Sequence, residues 1–101
     1  MEIIAQENHL FDLIEVIKKT ILSKGNDYAN ADRLSNFKLA GAIIGISAEQ
    51  QCLSLIATKV ARLGNLLNKR HINTNNESLK DSALDLICYG ILLDMLLSEQ
   101  N

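Results

Sequence analysis

Apolar residues return at steps of three and four through most of this chain, and where the steps stop the composition turns abruptly polar. Between Ile3 and Leu22 the series Leu10, Leu13, Ile14, Ile17 and Ile21 predicts an amphipathic first helix. Lys18, Lys19 and Lys24 fall toward its end, where cations complement the helix dipole. Gly25 supplies a residue able to take the left-handed conformation that stops a helix. A polar insert, "KGNDYANADRLSNF", then spans Lys24 to Phe37. The next segment, "FKLAGAIIGI" from Phe37 to Ile46, is apolar and interrupted by glycines, which predicts a short helix or a tightly packed hairpin.

Ser47-Ala-Glu-Gln50 has the Ser-x-x-Gln form of a capping box, in which the serine and glutamine side chains satisfy each other's backbone amides. Cys52, Leu53, Ile56, Val60, Leu63 and Leu67 follow at helical spacing, so a helix is predicted from Ala48 to Lys69. "RHINTNN", Arg70 to Asn76, has turn composition, and Thr74-x-x-Glu77 forms a second capping-box pattern opening a helix toward Glu99. The later part of that helix, "LICYGILLDMLL", is apolar nearly all round, as a central buried helix or a subunit interface would be. The expectation is one all-α domain over 1–101, an antiparallel helical bundle of three long helices plus one short one. A chain of 101 residues has little protein with which to surround such a helix, so homo-oligomerisation is expected too.

Composition narrows the function classes. Apolar residues make up 48% of the chain and aromatic ones 4%, with no proline, so the core must be aliphatic and long helices meet no interruption. A formal charge of −2 leaves no broad basic footprint for duplex nucleic acid. The isolated Cys52 and Cys88 show neither zinc-ligand nor C-x-x-C spacing and read as buried reduced thiols of a cytoplasmic protein. The longest apolar tract, Leu84 to Leu97, is broken by Asp85 and Asp94, and no secretory leader pattern is present, so no membrane partner is expected.

Glu77, Asp81 and Asp85 recur every four residues, which on a helix stacks them in one stripe with Tyr89 a turn further on. Like charges so placed repel by a few tenths of a kcal/mol per pair and call for a compensating cation. That cation is either Mg²⁺ or Mn²⁺, held by carboxylates and waters, or basic side chains. Asp85, between Leu84 and Leu86, needs a partner most, because an unpaired buried carboxylate is expensive. Lys59 and Arg62, on the polar face of the preceding helix, are either the salt-bridge partners of Asp81 and Asp85 across a helix pair or the contacts for a ligand's phosphates, which arginine recognises through paired N–H donors. Asp12 and Glu15 add a weak acidic pair on the first helix. His9 and His71 form no nucleophile or metal arrangement, and no phosphate-binding glycine loop is present, so any phosphate would be held by side chains.

"KGNDYAN", then Asn36-Phe37, then "ATKVARLGNLL", then "ESLKDSALDLICYGIL" together resemble a group of small all-α proteins common in phages and bacteria. The shared pattern is K-x-x-D-Y-x-N, a helix with K-x-x-R, and E-x-x-x-D-x-x-x-D-x-x-x-Y. This group is the nucleotide-modification-associated domain family, similar to MazG-like all-α nucleotide pyrophosphohydrolases. The resemblance covers Lys24 to Leu93 and implies an oligomeric helical bundle with a nucleotide in a cleft between helices. It further implies metal ligands at Glu77, Asp81 and Asp85, with Asp81 and Asp85 catalytic, phosphate contacts at Lys59 and Arg62, and base or sugar contacts at Asp27, Tyr28 and Asn36. MazG-like enzymes carry E-E-x-x-E early and E-x-x-D later, whereas this chain has Asp12-Leu-Ile-Glu15 and Glu77-x-x-x-Asp81. Three functions follow as expectations: Mg²⁺-dependent hydrolysis of a nucleotide phosphoanhydride, capture of a nucleotide or nucleotide-derived signal without cleavage, or a helical interaction protein whose charges merely pair across its helices.

Overall fold

The computed structural model describes residues 1–26, 33–69 and 76–99, the side chains of 24–26 and 76–77 excepted. Among the described residues the chain is all-helical: α1 (Ile3–Asn26), α2 (Ser35–Ile44), α3 (Ala48–Asn68) and α4 (Asn76–Glu99). The inventory of three long helices and one short one is thus present. The chain divides into two compact units, Met1–Arg33 and Leu34–Asn101. No single helix among the described residues is long and apolar enough to cross a membrane; α2 and α3 together would be, but the chain bends by 97° between them.

In the first unit, α1 runs for 24 residues, through Gly25 to Asn26. Glycine inside a helix costs about 1 kcal/mol relative to alanine, which a long helix absorbs, so Gly25 does not act as the expected stop. Ile17 and Ile21 are buried, while Ile3, Ile4, Phe11 and Leu22 are exposed.

The second unit begins where Leu34 enters the core one residue before α2. The segment from Phe37 onward is helix rather than hairpin, and it starts two residues earlier, at Ser35. The left-handed stop falls at Gly45, with φ 78°. There the Gly45 N–H bonds the Ala42 carbonyl and the Ile46 N–H bonds that of Gly41, which satisfies two carbonyls the helix end leaves open. Gly41 lies against this turn so closely that a Cβ would sit 2.8 Å from the Ile46 carbonyl oxygen and 2.9 Å from that of Ser47.

The capping box at the start of α3 forms as the residues predict. The Gln50 amide donates to Ser47 Oγ at 3.0 Å, and the Ser47 amide donates to Gln50 Oε1 at 2.9 Å. Thr74 lies outside the described residues, so α4 is described only from Asn76. Contacts between α3 and α4 run in opposite senses along the two helices, from Cys52 on Tyr89 to Lys59 on Asp85 and Arg62 on Ser82, which makes them an antiparallel pair. Leu34, Phe37, Cys52 and Leu96 form the buried centre, with Leu55, Ile56, Tyr89, Leu92 and Leu93 packed around it. Phe37 meets Tyr89 edge to face at 6.3 Å, and Lys38 reaches Glu99 at 3.0 Å, so α2 is tied to the later half of α4.

Candidate functional site

Three helical turns of α3 and α4 beyond the core carry most of the chemistry anticipated for this chain. On α3, Lys59 and Arg62 lie three residues apart and so share a face. On α4, Asp81 and Ser82 are neighbours in one turn of the facing helix and Asp85 lies on the next. Lys59 Nζ sits 2.9 Å from Asp85 Oδ2, with side chains 27% and 37% exposed. The partner that a carboxylate among leucines requires is therefore a lysine of the neighbouring helix.

Arg62 departs from expectation. Its Nε donates to Ser82 Oγ at 3.2 Å rather than pairing with Asp81, whose side chain is exposed. Ser82 is the one buried polar side chain among the described residues. Its burial has a legible cause: Leu79, Ser82, Leu86 and Tyr89 step along α4 at three and four, so the serine occupies a core position where the other members are large. A hydroxyl there must find a partner, and Arg62 supplies it while its guanidinium stays near the surface. No chemical signature marks Ser82 in the sequence; only its place in the apolar period does.

The remaining candidates are distributed unevenly. Asn36 is exposed on α2, next to Phe37, whose ring touches Tyr89 one turn along α4 from Asp85. Asp27 and Tyr28 lie outside the described residues, as does the side chain of Glu77. Ser54 and Thr58, on the polar side of α3, turn their hydroxyls back onto the carbonyls of Gln51 and Ser54. Deeper in, Cys52 Sγ lies 3.4 Å from the Tyr89 carbonyl, and burial pushes its thiol pKa up, so this sulfur is a core group rather than a nucleophile.

The Lys59 ammonium bears on whether the implied Mg²⁺ or Mn²⁺ fits. A divalent cation on Asp85 would compete with the ammonium for the same carboxylate and be repelled by it. Asp81 and Asp85 supply two of the three implied carboxylates, one of them paired with Lys59, and the side chain of Glu77 lies outside the described residues. Among the described residues, no three histidine, cysteine, aspartate or glutamate side chains converge on one point. What the arrangement offers is a pair of oriented cations at the rim of a helix pair, one already holding a carboxylate. No protein-family model, curated protein or solved structure matches the chain.

Proposed function

We propose that this chain is a helical nucleotide-binding module that takes up the phosphates of a nucleotide, or of a nucleotide-derived signal, on Lys59 and Arg62 and releases the ligand uncleaved. The observation supporting this reading most is the pairing of Lys59 with Asp85. An ion pair more than a quarter exposed on both sides contributes little to stability, and its lysine can exchange a carboxylate for a phosphate at small cost. Arg62, oriented by Ser82 one turn away, adds planar N–H donors suited to phosphate oxygens. Asn36, with Asp27 and Tyr28 from the polar insert, are the groups proposed for sugar and base.

Binding without cleavage is preferred to MazG-like hydrolysis because this chain carries fewer acids than the MazG-like pattern, with only Asp12-Leu-Ile-Glu15 early and Glu77-x-x-x-Asp81 later. Attack of water on a phosphoanhydride generally needs several metal ligands or a positioned base, which a thinned set of acids supplies less well. Thermal-shift measurements with mono-, di-, tri- and cyclic nucleotides, each with and without Mg²⁺ or Mn²⁺, test the reading. Stabilisation should follow RT ln(1 + [L]/Kd), about 2.7 kcal/mol at a hundred times Kd. It should vanish in Arg62→Ala, and intact nucleotide should be recovered after denaturation. Turnover that needs Mg²⁺ would instead establish the hydrolase.

A second reading has its own support. Lys59–Asp85 and Arg62–Ser82 are also the contacts of a helical interaction protein, and Leu39, Ile43, Ile44, Leu53, Val60 and Leu67 leave α2 and α3 with much exposed apolar surface. It requires that no nucleotide raise the melting temperature at any concentration.

A further inference from the structure

α1 is a helix of 24 residues, about 36 Å long, with much of its apolar surface open. Helices take most of their stability from packing an apolar face, so an exposed stripe of this length calls for a covering surface. Its composition says which. Ile3, Glu7, Phe11, Ile14, Lys18 and Leu22 are spaced four, four, three, four and four, which places all six within about 100° of the helix circumference at 3.6 residues per turn. Ile3, Phe11, Ile14 and Leu22 are 73%, 64%, 41% and 53% exposed, and Glu7 and Lys18 are exposed as well.

The spacing is the same read from either end. So is the pattern of apolar and charged positions, once the charge is inverted: apolar, acid, apolar, then apolar, base, apolar. A helix carrying such a stripe is complementary to a second copy of itself laid antiparallel. About one two-fold axis, Ile3 meets Leu22 of the other copy, Glu7 meets Lys18, and Phe11 meets Ile14. The parallel alternative would set Glu7 on Glu7 and Lys18 on Lys18, and like charges in a helix seam select against that orientation. The helix dipole alone favours acids early and lysines late, but it asks for nothing inside an apolar stripe. The existing Lys18–Glu15 contact, 3.3 Å long and more than half exposed on both sides, is weak enough to yield to a new partner. An anionic membrane surface does not suit the same face, because Glu7 lies within it and Glu15 flanks it.

We infer that α1 is a self-association element that pairs antiparallel with α1 of a second copy of this chain, its orientation chosen by reciprocal Glu7–Lys18 contacts. The inference does not rest on the nucleotide reading. It supplies a surface for the self-association expected from the sequence.

Sedimentation equilibrium of the full chain at low ionic strength, over a wide range of concentration, tests it with four proteins. Wild type should associate in even numbers. Glu7→Lys and Lys18→Glu should each weaken association by at least about tenfold, because each single reversal puts like charges together in both halves of the seam. The double variant E7K/K18E should recover wild-type association, since its charges are again reciprocal. Both substitutions lie on the surface, and circular dichroism should show each variant with the helix content of the wild type. For orientation, Ile3→Cys mixed with Leu22→Cys should give an interchain disulfide that neither gives alone. A wild type that is monomeric throughout would overturn the inference. So would single variants that associate as wild type does, or a double variant as weak as the singles.

Discussion

Replacing Asp85 by asparagine should lower the stability of this protein and tighten its grip on a phosphate-bearing ligand at the same time. The magnitude follows from the contact with Lys59. At 2.9 Å, two unit charges attract by about 1.4 kcal/mol in a water-like dielectric, from 332/(εr). The side chains are 27% and 37% exposed, so the pair is neither fully solvated nor desolvated. Ordering two long side chains and screening by salt bring pairs of this kind to about 1 kcal/mol or less. A double-mutant cycle of Asp85→Asn and Lys59→Met, followed by urea denaturation at neutral pH, should therefore give a coupling of about 1 kcal/mol at low ionic strength. The coupling should shrink in 1 M salt, where the Debye length falls to about 3 Å.

The ligand arm separates the functional readings. If phosphate competes with Asp85 for Lys59, removing the carboxylate releases that 1 kcal/mol to the ligand, about fivefold in Kd. If Asp85 holds a catalytic metal, the same substitution abolishes both Mg²⁺-dependent binding and turnover. If the pair only joins two helices, no nucleotide responds in either protein. A coupling below about 0.3 kcal/mol at low salt would refute the electrostatic reasoning itself, and weaker nucleotide binding in Asp85→Asn would refute the competition.

Three further outcomes bear on the frame that carries the site. Gly41→Ala should destabilise by about 1–3 kcal/mol in denaturant titrations, because the added methyl meets two backbone carbonyl oxygens closer than 3 Å and the turn at Gly45 must shift. Ser47→Ala should cost about 1 kcal/mol by the same measurement, as loss of a capping side chain does. Burial raises the Cys52 pKa above its unfolded value, so its contribution to stability is fully present below the ordinary thiol range and is lost as pH rises through the folded-state pKa. Melting temperature should fall at alkaline pH, less so in Cys52→Ala, and alkylation of Cys52 should wait on unfolding.

Features settled within a few residues of one another were the ones legible in the sequence. The capping box shows this best, because Ser47 and Gln50 need only each other and the first turn of α3. The partner of Asp85 was legible in kind, since a carboxylate between two leucines must find a cation, and Lys59 was among the few on offer. Its distance from Asp85 depends on the register of two helices in a chain 101 residues long, which no local pattern encodes. Arg62 shows the cost of reading charges alone: the acidic neighbour Asp81 attracted the assignment, while the buried hydroxyl of Ser82 takes the bond. Gly25 and Gly45 show that a glycine permits a stop without compelling one. Only Gly45 adopts positive φ among the described residues, because Ile46 and Ser47 must turn the chain away from α2 into α3 there.

The central claim is that Lys59 and Arg62 hold the phosphates of a nucleotide that leaves unchanged. Isothermal titration calorimetry of nucleoside mono-, di- and triphosphates, with chromatography of the recovered ligand, addresses it most directly. The account predicts saturable heat for at least one nucleotide without divalent metal, intact ligand afterwards, and loss of the heat in both Lys59→Ala and Arg62→Ala. Absence of heat for every nucleotide from the folded wild-type protein, or binding unaffected by either substitution, would contradict it.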